Sequence, residues 1–228
     1  MLPESSSPRW PRQKKLVKIK FCGLKRPEEV GWAEELKADF VGFNLYPKSP
    51  RCVSLKDLKK LAGEVKTARK ALVFVNNKLE EVARAVEKSG ADIIQLHGDE
   101  TPRFCSQIRV ITGRPVIKAF RLAIEKDLKP LEKYLDSADY FLLDARSEGL
   151  YGGTGQAFPW NLAIKAKELG KPIFLAGGLT CENVAEACQQ ILPFAVDVAG
   201  GVEEKLGVKS RKKMALFVQK VRNQQGGR

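Results

Sequence analysis

An α/β fold, a single (βα)8 barrel of parallel strands, is what three features of the sequence predict. Eight short β-type runs recur at regular spacing. Helix-type segments alternate with them. The runs are mostly apolar, as strands covered on both faces must be. Strand–helix alternation implies βαβ units and a parallel sheet. Eight units within about 210 residues fit a closed barrel better than an open doubly wound sheet, which normally uses about five or six strands.

Residues 1–15 are rich in Pro, Ser and Arg and are expected to form a poorly ordered basic tail ahead of a barrel over 16–222, with a short C-terminal tail over 223–228. The first strand is expected over Val17–Phe21 and ends at Cys22-Gly23. Strand side chains alternate faces. Lys18, Lys20 and Cys22 therefore share the interior face, while Val17, Ile19 and Phe21 pack on helices. The other runs are Phe40–Leu45, Ala71–Val75, Ile93–Leu96, Val116–Phe120, Tyr140–Leu143, Ile173–Ala176 and Ala195–Ala199. Helices are predicted over Pro27–Lys37, Leu55–Val65, Leu79–Ser89, Trp160–Leu169, Cys181–Gln190 and Lys209–Val221, with weaker patterns at 102–109 and 125–135. Pro27 suits a first helical turn, and Asn77 and Thr180 suit caps.

Barrel active sites lie at the C-terminal ends of the strands, so the chemistry can be located from the strand list. The loop after the first strand carries Cys22. The second loop, Asn44 to Arg51, ends in a cation suited to an anion. The fourth carries His97, the single histidine. Asp144 ends the apolar sixth strand and is followed by the Gly-rich run Tyr151 to Gly155. Gly177-Gly178 and Gly200-Gly201 follow strands seven and eight, where backbone N–H groups can approach a phosphate closely. Position alone leaves Cys22 either a small buried hydrophobe or a reactive group. Lys20 could support a thiolate there, and Asp197, on the neighbouring eighth strand, could pair with Lys20. Asp144 is either a helix cap or an acid held in the site, and the strand end favours the acid. His97 could bond a substrate or orient its loop. No histidine-based hydrolytic triad and no metal cluster is legible.

Composition narrows the class. The net charge of +13 invites a nucleic-acid reading, but residues 1–15 carry +3 and 207–228 carry +7, leaving a nearly balanced body. No nucleic-acid partner is expected. No apolar run approaches the ~20 residues of a membrane span. Five scattered cysteines read as reduced thiols, and a cytoplasmic protein is expected.

The motifs resemble those of the phosphoribosylanthranilate isomerase family of tryptophan biosynthesis. The likeness runs in order through Lys20-Phe-Cys-Gly23, Gly42 to Arg51, Phe74-Val-Asn76, Gln95-Leu-His-Gly98, Lys118-Ala, Leu142-Leu-Asp144, Gly152 to Gly155, Leu175 to Thr180, Glu182-Asn-Val184 and Asp197-Val. The resemblance implies a (βα)8 TIM barrel without cofactor or metal, acting on a phosphosugar as a monomer or homodimer. It implies an Amadori rearrangement with Cys22 as general base and Asp144 as general acid. It places Arg51 on the anthranilate carboxylate and the glycine loops on the phosphate. His97 and Asp197 are the further substrate-contact candidates. Two departures stand out: Gln156 replaces the family's usual Lys, and Ala199-Gly200 replaces a Ser-Ser pair. Related histidine-pathway isomerases use an Asp where this chain has Cys22. A non-catalytic phosphate-binding barrel would tolerate loss of Cys22 or Asp144.

Overall fold

A computed structural model describes residues 16–145 and 160–226. The expected tail at 1–15 and the run Tyr151 to Gln156 lie outside the described residues. Eight parallel strands close in sequence order: β1 (Lys18–Cys22), β2 (Phe40–Asn44), β3 (Arg69–Phe74), β4 (Ile93–Leu96), β5 (Val116–Leu122), β6 (Tyr140–Ala145), β7 (Ile173–Leu175) and β8 (Ala195–Val198). Closure is the pairing of β8 with β1, in which Lys20 stands opposite Asp197. Around the barrel run α1 (Pro27–Glu35), α2 (Leu55–Glu64), α3 (Leu79–Ser89), α4 (Pro102–Thr112), α5 (Trp160–Lys167), α6 (Val184–Ile191) and α7 (Arg211–Gly226), with a 3₁₀ segment over Glu125–Tyr134.

The period-two pattern divides the apolar residues into two cores. Phe40, Ala71, Ile93, Ile117, Leu142, Phe174 and Ala195 fill the barrel interior. Ile19, Phe21, Val41, Phe43, Leu72 and Phe74 point outward and pack under helix residues such as Val30, Leu58 and Phe217. The interior is sealed by aromatic edges, with Phe40 and Phe174 centroids 5.2 Å apart. Beneath them Lys18 lies over the Phe194 ring at 5.0 Å. A floor packed this way leaves the functional end at the opposite mouth.

Local chemistry explains where elements differ from the sequence pattern. Asn77 does not cap α3: its Oδ1 accepts from Val75 N–H, and Glu81 reaches back to Lys78 N–H at 3.1 Å. Thr180 is not the N-cap of α6. Asn183 Oδ1 accepts from Thr180 N–H at 2.9 Å, which holds 180–183 as a turn and delays the helix to Val184. The weak helix at 125–135 is a 3₁₀ segment containing Pro130, which lacks the N–H an α-helix would use there. The last helix runs on to Gly226, past residue 222, because Arg-Asn-Gln-Gln contains no breaker. A hairpin of β9 (Glu203–Lys205) and β10 (Val208–Lys209) was not expected. Among the described residues, no helix is long and apolar enough to cross a membrane.

Candidate active site

The C-terminal mouth of the barrel holds a cavity of about 490 Å³. Cys22, Arg51, His97, Asp144, Gly177, Gly178, Asp197, Gly200 and Gly201 all line it. Every site residue expected from the sequence therefore reaches one space, from six different strand ends.

Lys20 and Cys22 stand on the interior face of β1, as alternation requires. Lys20 is wholly buried and donates to Asp197 Oδ1 at 2.7 Å. Burial pulls its ammonium down, but the Asp197 carboxylate and Cys22 more than offset this and hold it above its ordinary range. Cys22 behaves otherwise than the lysine beside it suggests. Burial pushes the thiol up, Lys20 pulls it down and Asp197 pushes it up again, so it ends above the ordinary thiol range. Lys20 does favour the thiolate, as expected, and pairs with Asp197, as expected, but its pull is outweighed by burial and by the Asp197 carboxylate. Gly42 makes this arrangement possible. A Cβ there would sit 3.0 Å from Cys22 Sγ and 3.2 Å from Lys20 Nζ.

Arg51 is held by a partner far away in sequence. Its Nε donates to Glu203 Oε1 at 2.7 Å and its Nη2 to Glu203 Oε2 at 2.8 Å. This bidentate fork fixes the guanidinium plane at the cavity wall and leaves Nη1 for another acceptor. Gly23 is needed beneath it. Its φ of +74° suits glycine, and a Cβ would meet Arg51 Cδ at 2.6 Å. Glu203 also accepts from Lys209 Nζ at 2.9 Å and from Gly207 N–H at 3.1 Å. Lys209 in turn donates to Ala199 O at 2.9 Å, which ties the eighth loop to the hairpin.

The glycine loops meet where the seventh and eighth strands end. Gly177 and Gly178 have φ of +78° and +67°. A Cβ on Gly201 would lie 1.9 Å from Leu179 O, so only glycine lets the two loops touch. Asn183 Nδ2 donates to Gly178 O at 2.8 Å and staples the first of them. Across the mouth, Asp144 Oδ2 lies 3.4 Å from His97 Nε2, and Gln95 Nε2 lies 3.1 Å from His97 Nδ1.

The chain's relatives share its sequence pattern and its fold. Residues 19–220 match the model of the N-(5'-phosphoribosyl)anthranilate isomerase family. The chain belongs to this family. It is 42% identical over 208 residues to the isomerase of Caldanaerobacter subterraneus subsp. tengcongensis, covering 91% of this chain and 98% of that one. The crystal structure of the isomerase from Thermotoga maritima matches with a TM-score of 0.85 at 31% identity, covering 91% of this chain and 100% of that one. A structure of such an isomerase in complex with reduced 1-(o-carboxyphenylamino)-1-deoxyribulose 5-phosphate matches with a TM-score of 0.82 at 31% identity, covering 91% of this chain and 100% of that one.

Glu203 and Lys209 escaped the sequence reading of this isomerase-family chain. Both are buried charges, but nothing in a linear pattern pairs Arg51 with a residue on a later hairpin. Asp-Val-Ala-Gly-Gly-Val-Glu, read as a phosphate loop, also ends in Glu203, the anchor of Arg51. The state of Cys22 yields a test. Iodoacetamide near neutral pH should modify Cys22 of the free protein several-fold more slowly than a small-molecule thiol, with the rate still climbing above the ~8.5 at which a free cysteine titrates. Peptide mapping separates Cys22 from the partly exposed Cys52. Rapid labelling at neutral pH would reveal a preformed thiolate and contradict the burial argument.

Proposed function

We propose that this cavity binds N-(5'-phosphoribosyl)anthranilate and converts it to 1-(2-carboxyphenylamino)-1-deoxyribulose 5-phosphate. What carries the reading is the convergence of a thiol, a carboxyl, a fixed arginine and two glycine loops on one cavity, in a chain that matches the isomerase family over residues 19–220. The glycine loops take the phosphate through backbone N–H groups. Arg51 Nη1 takes the anthranilate carboxylate. Asp197, with Oδ1 taken up by Lys20, offers its other oxygen to a sugar hydroxyl.

The reaction needs one acid and one base and no redox partner. Asp144 gives a proton to the ring oxygen as the C1–O bond breaks, and the anilino nitrogen supplies the electron pair for the C1=N bond. The resulting iminium acidifies the proton on C2. The same positive charge favours ionisation of Cys22: its S–H proton leaves to solvent through the open mouth, and the thiolate so formed takes the C2 proton. Loss of the C2 proton gives an enaminol, which ketonises to the aminoketose. Rescue of a tryptophan auxotroph lacking this isomerase tests the activity; failure of a well-expressed, folded chain to rescue would reject it.

Arg51→Ala should weaken binding of the normal substrate by about 1.5–3 kcal/mol. It should also lower the melting temperature, because Glu203 loses its fork. An analogue lacking the carboxylate separates the two effects, since its binding should barely change. Equal losses for both compounds would move Arg51 out of carboxylate recognition.

A further inference from the structure

We propose that Gln95 is a positioning residue that fixes the tautomer of His97 and thereby presents an N–H to Asp144. The proposal rests on the reading of Asp144 as the general acid. Gln95 ends the interior face of β4, two residues before His97, so both side chains point into the mouth. The imidazole is mounted rigidly. His97 N–H donates to Phe74 O at 2.8 Å, and His97 O accepts from Arg121 Nη2 at 3.1 Å. Lys118 Nζ holds the following Gly98 O at 2.7 Å.

The two ring nitrogens then face different groups. Nε2 is buried and lies 3.4 Å from Asp144 Oδ2, with no hydrogen-bond partner among the described residues. Nδ1 lies 3.1 Å from Gln95 Nε2. With the Gln95 amide turned as it is, Nε2 towards the ring and Oε1 buried without a partner among the described residues, the amide donates and calls for a lone pair on Nδ1. Neutral imidazole has one N–H, and it must then sit on Nε2 and face the carboxyl. The spacing of 3.4 Å is long for a settled bond. It is short enough to close when Asp144 has released its proton and carries charge, and a charge-assisted bond is the stronger kind. Gln95 thus prepares a donor for the carboxylate that appears during ring opening.

The single histidine makes the tautomer directly measurable. Ring-nitrogen NMR of the untagged protein, at a pH where imidazole is neutral, should show one tautomer with the proton on Nε2. Gln95→Leu should give a mixture. Gln95→Glu, which can only accept when ionised, should move the proton to Nδ1. Gln95→Glu should lower kcat by roughly 10-fold or more with KM nearly unchanged, and Gln95→Leu should lower it only in proportion to the fraction that loses the Nε2 proton. A purely structural role would alter KM or melting temperature without inverting the tautomer. Proton on Nδ1 in the unaltered protein would overturn the proposal without any variant. Inverted tautomer with unchanged kcat would overturn its catalytic half. Near-normal turnover of Asp144→Asn would instead reject the acid reading and with it that half, and the NMR of the unaltered protein would decide the Gln95–His97 contact by itself.

Discussion

Cys22→Ser and Asp144→Asn should each cut turnover by about 10²-fold or more while leaving KM largely intact, because positioned acid–base groups typically contribute 10²–10⁴. A serine hydroxyl is far too weak a base to take the C2 proton, and an amide cannot deliver one to the ring oxygen. Substrate affinity survives because Arg51 and the glycine loops are untouched. The two groups stand on β1 and β6, separated around the barrel by β7 and β8, so they reach the substrate from different directions. That separation suits an acid for ring opening and a base for a later step. Deuterium at C2 distinguishes the steps. The isotope effect should grow in Cys22→Ser, where proton abstraction is slowest, and shrink in Asp144→Asn, where ring opening limits. Near-wild-type turnover of Cys22→Ser would remove the thiol from the mechanism.

The strands were legible because burial on both faces writes itself as short apolar runs, and eight such runs admit few closed arrangements. The site was legible for a related reason. A parallel barrel sends the C-terminal end of every strand to one mouth, so Cys22, His97, Asp144 and Asp197 could be placed together without knowing any distance. Lys20 opposite Asp197 follows from closure of β8 on β1. What stayed hidden depends on sums or on distant loops. The direction in which Cys22 titrates is the balance of burial against Lys20, with Asp197 drawing off the lysine's charge. The Arg51–Glu203 fork joins residues 152 apart through a hairpin of only a few residues, too short for periodicity to announce. Gln95 reads as one more residue of an apolar strand until the imidazole above it is seen.

Glu203→Gln should cost about 3–5 kcal/mol of stability near neutral pH, the usual result of removing one partner from a buried ionic cluster. Glu203 is 7% exposed and holds two buried cations, Arg51 and Lys209. Glutamine keeps the size but leaves both cations without a counter-charge. The pH dependence follows from the carboxyl itself. Burial pushes Glu203 up, yet the Arg51 fork and the Lys209 ammonium hold it below the usual carboxylate range. A carboxyl depressed on folding stabilises the protein above its unfolded pKa, and that contribution fades as pH falls through the folded value. The stability difference between the two proteins should therefore be flat from neutral pH down to about 4.3 and should shrink only in stronger acid. Burial already pulls Lys209 below its ordinary range, so in the variant it can shed its proton, and the loss should ease at alkaline pH. Denaturant midpoints at several pH values measure all of this. The same variant frees one side of Arg51, so KM for the carboxylate-bearing substrate should rise while kcat holds. A loss below about 1 kcal/mol at neutral pH, the range of an exposed pair, would show that the cluster is solvated and that Arg51 is aimed by something other than Glu203.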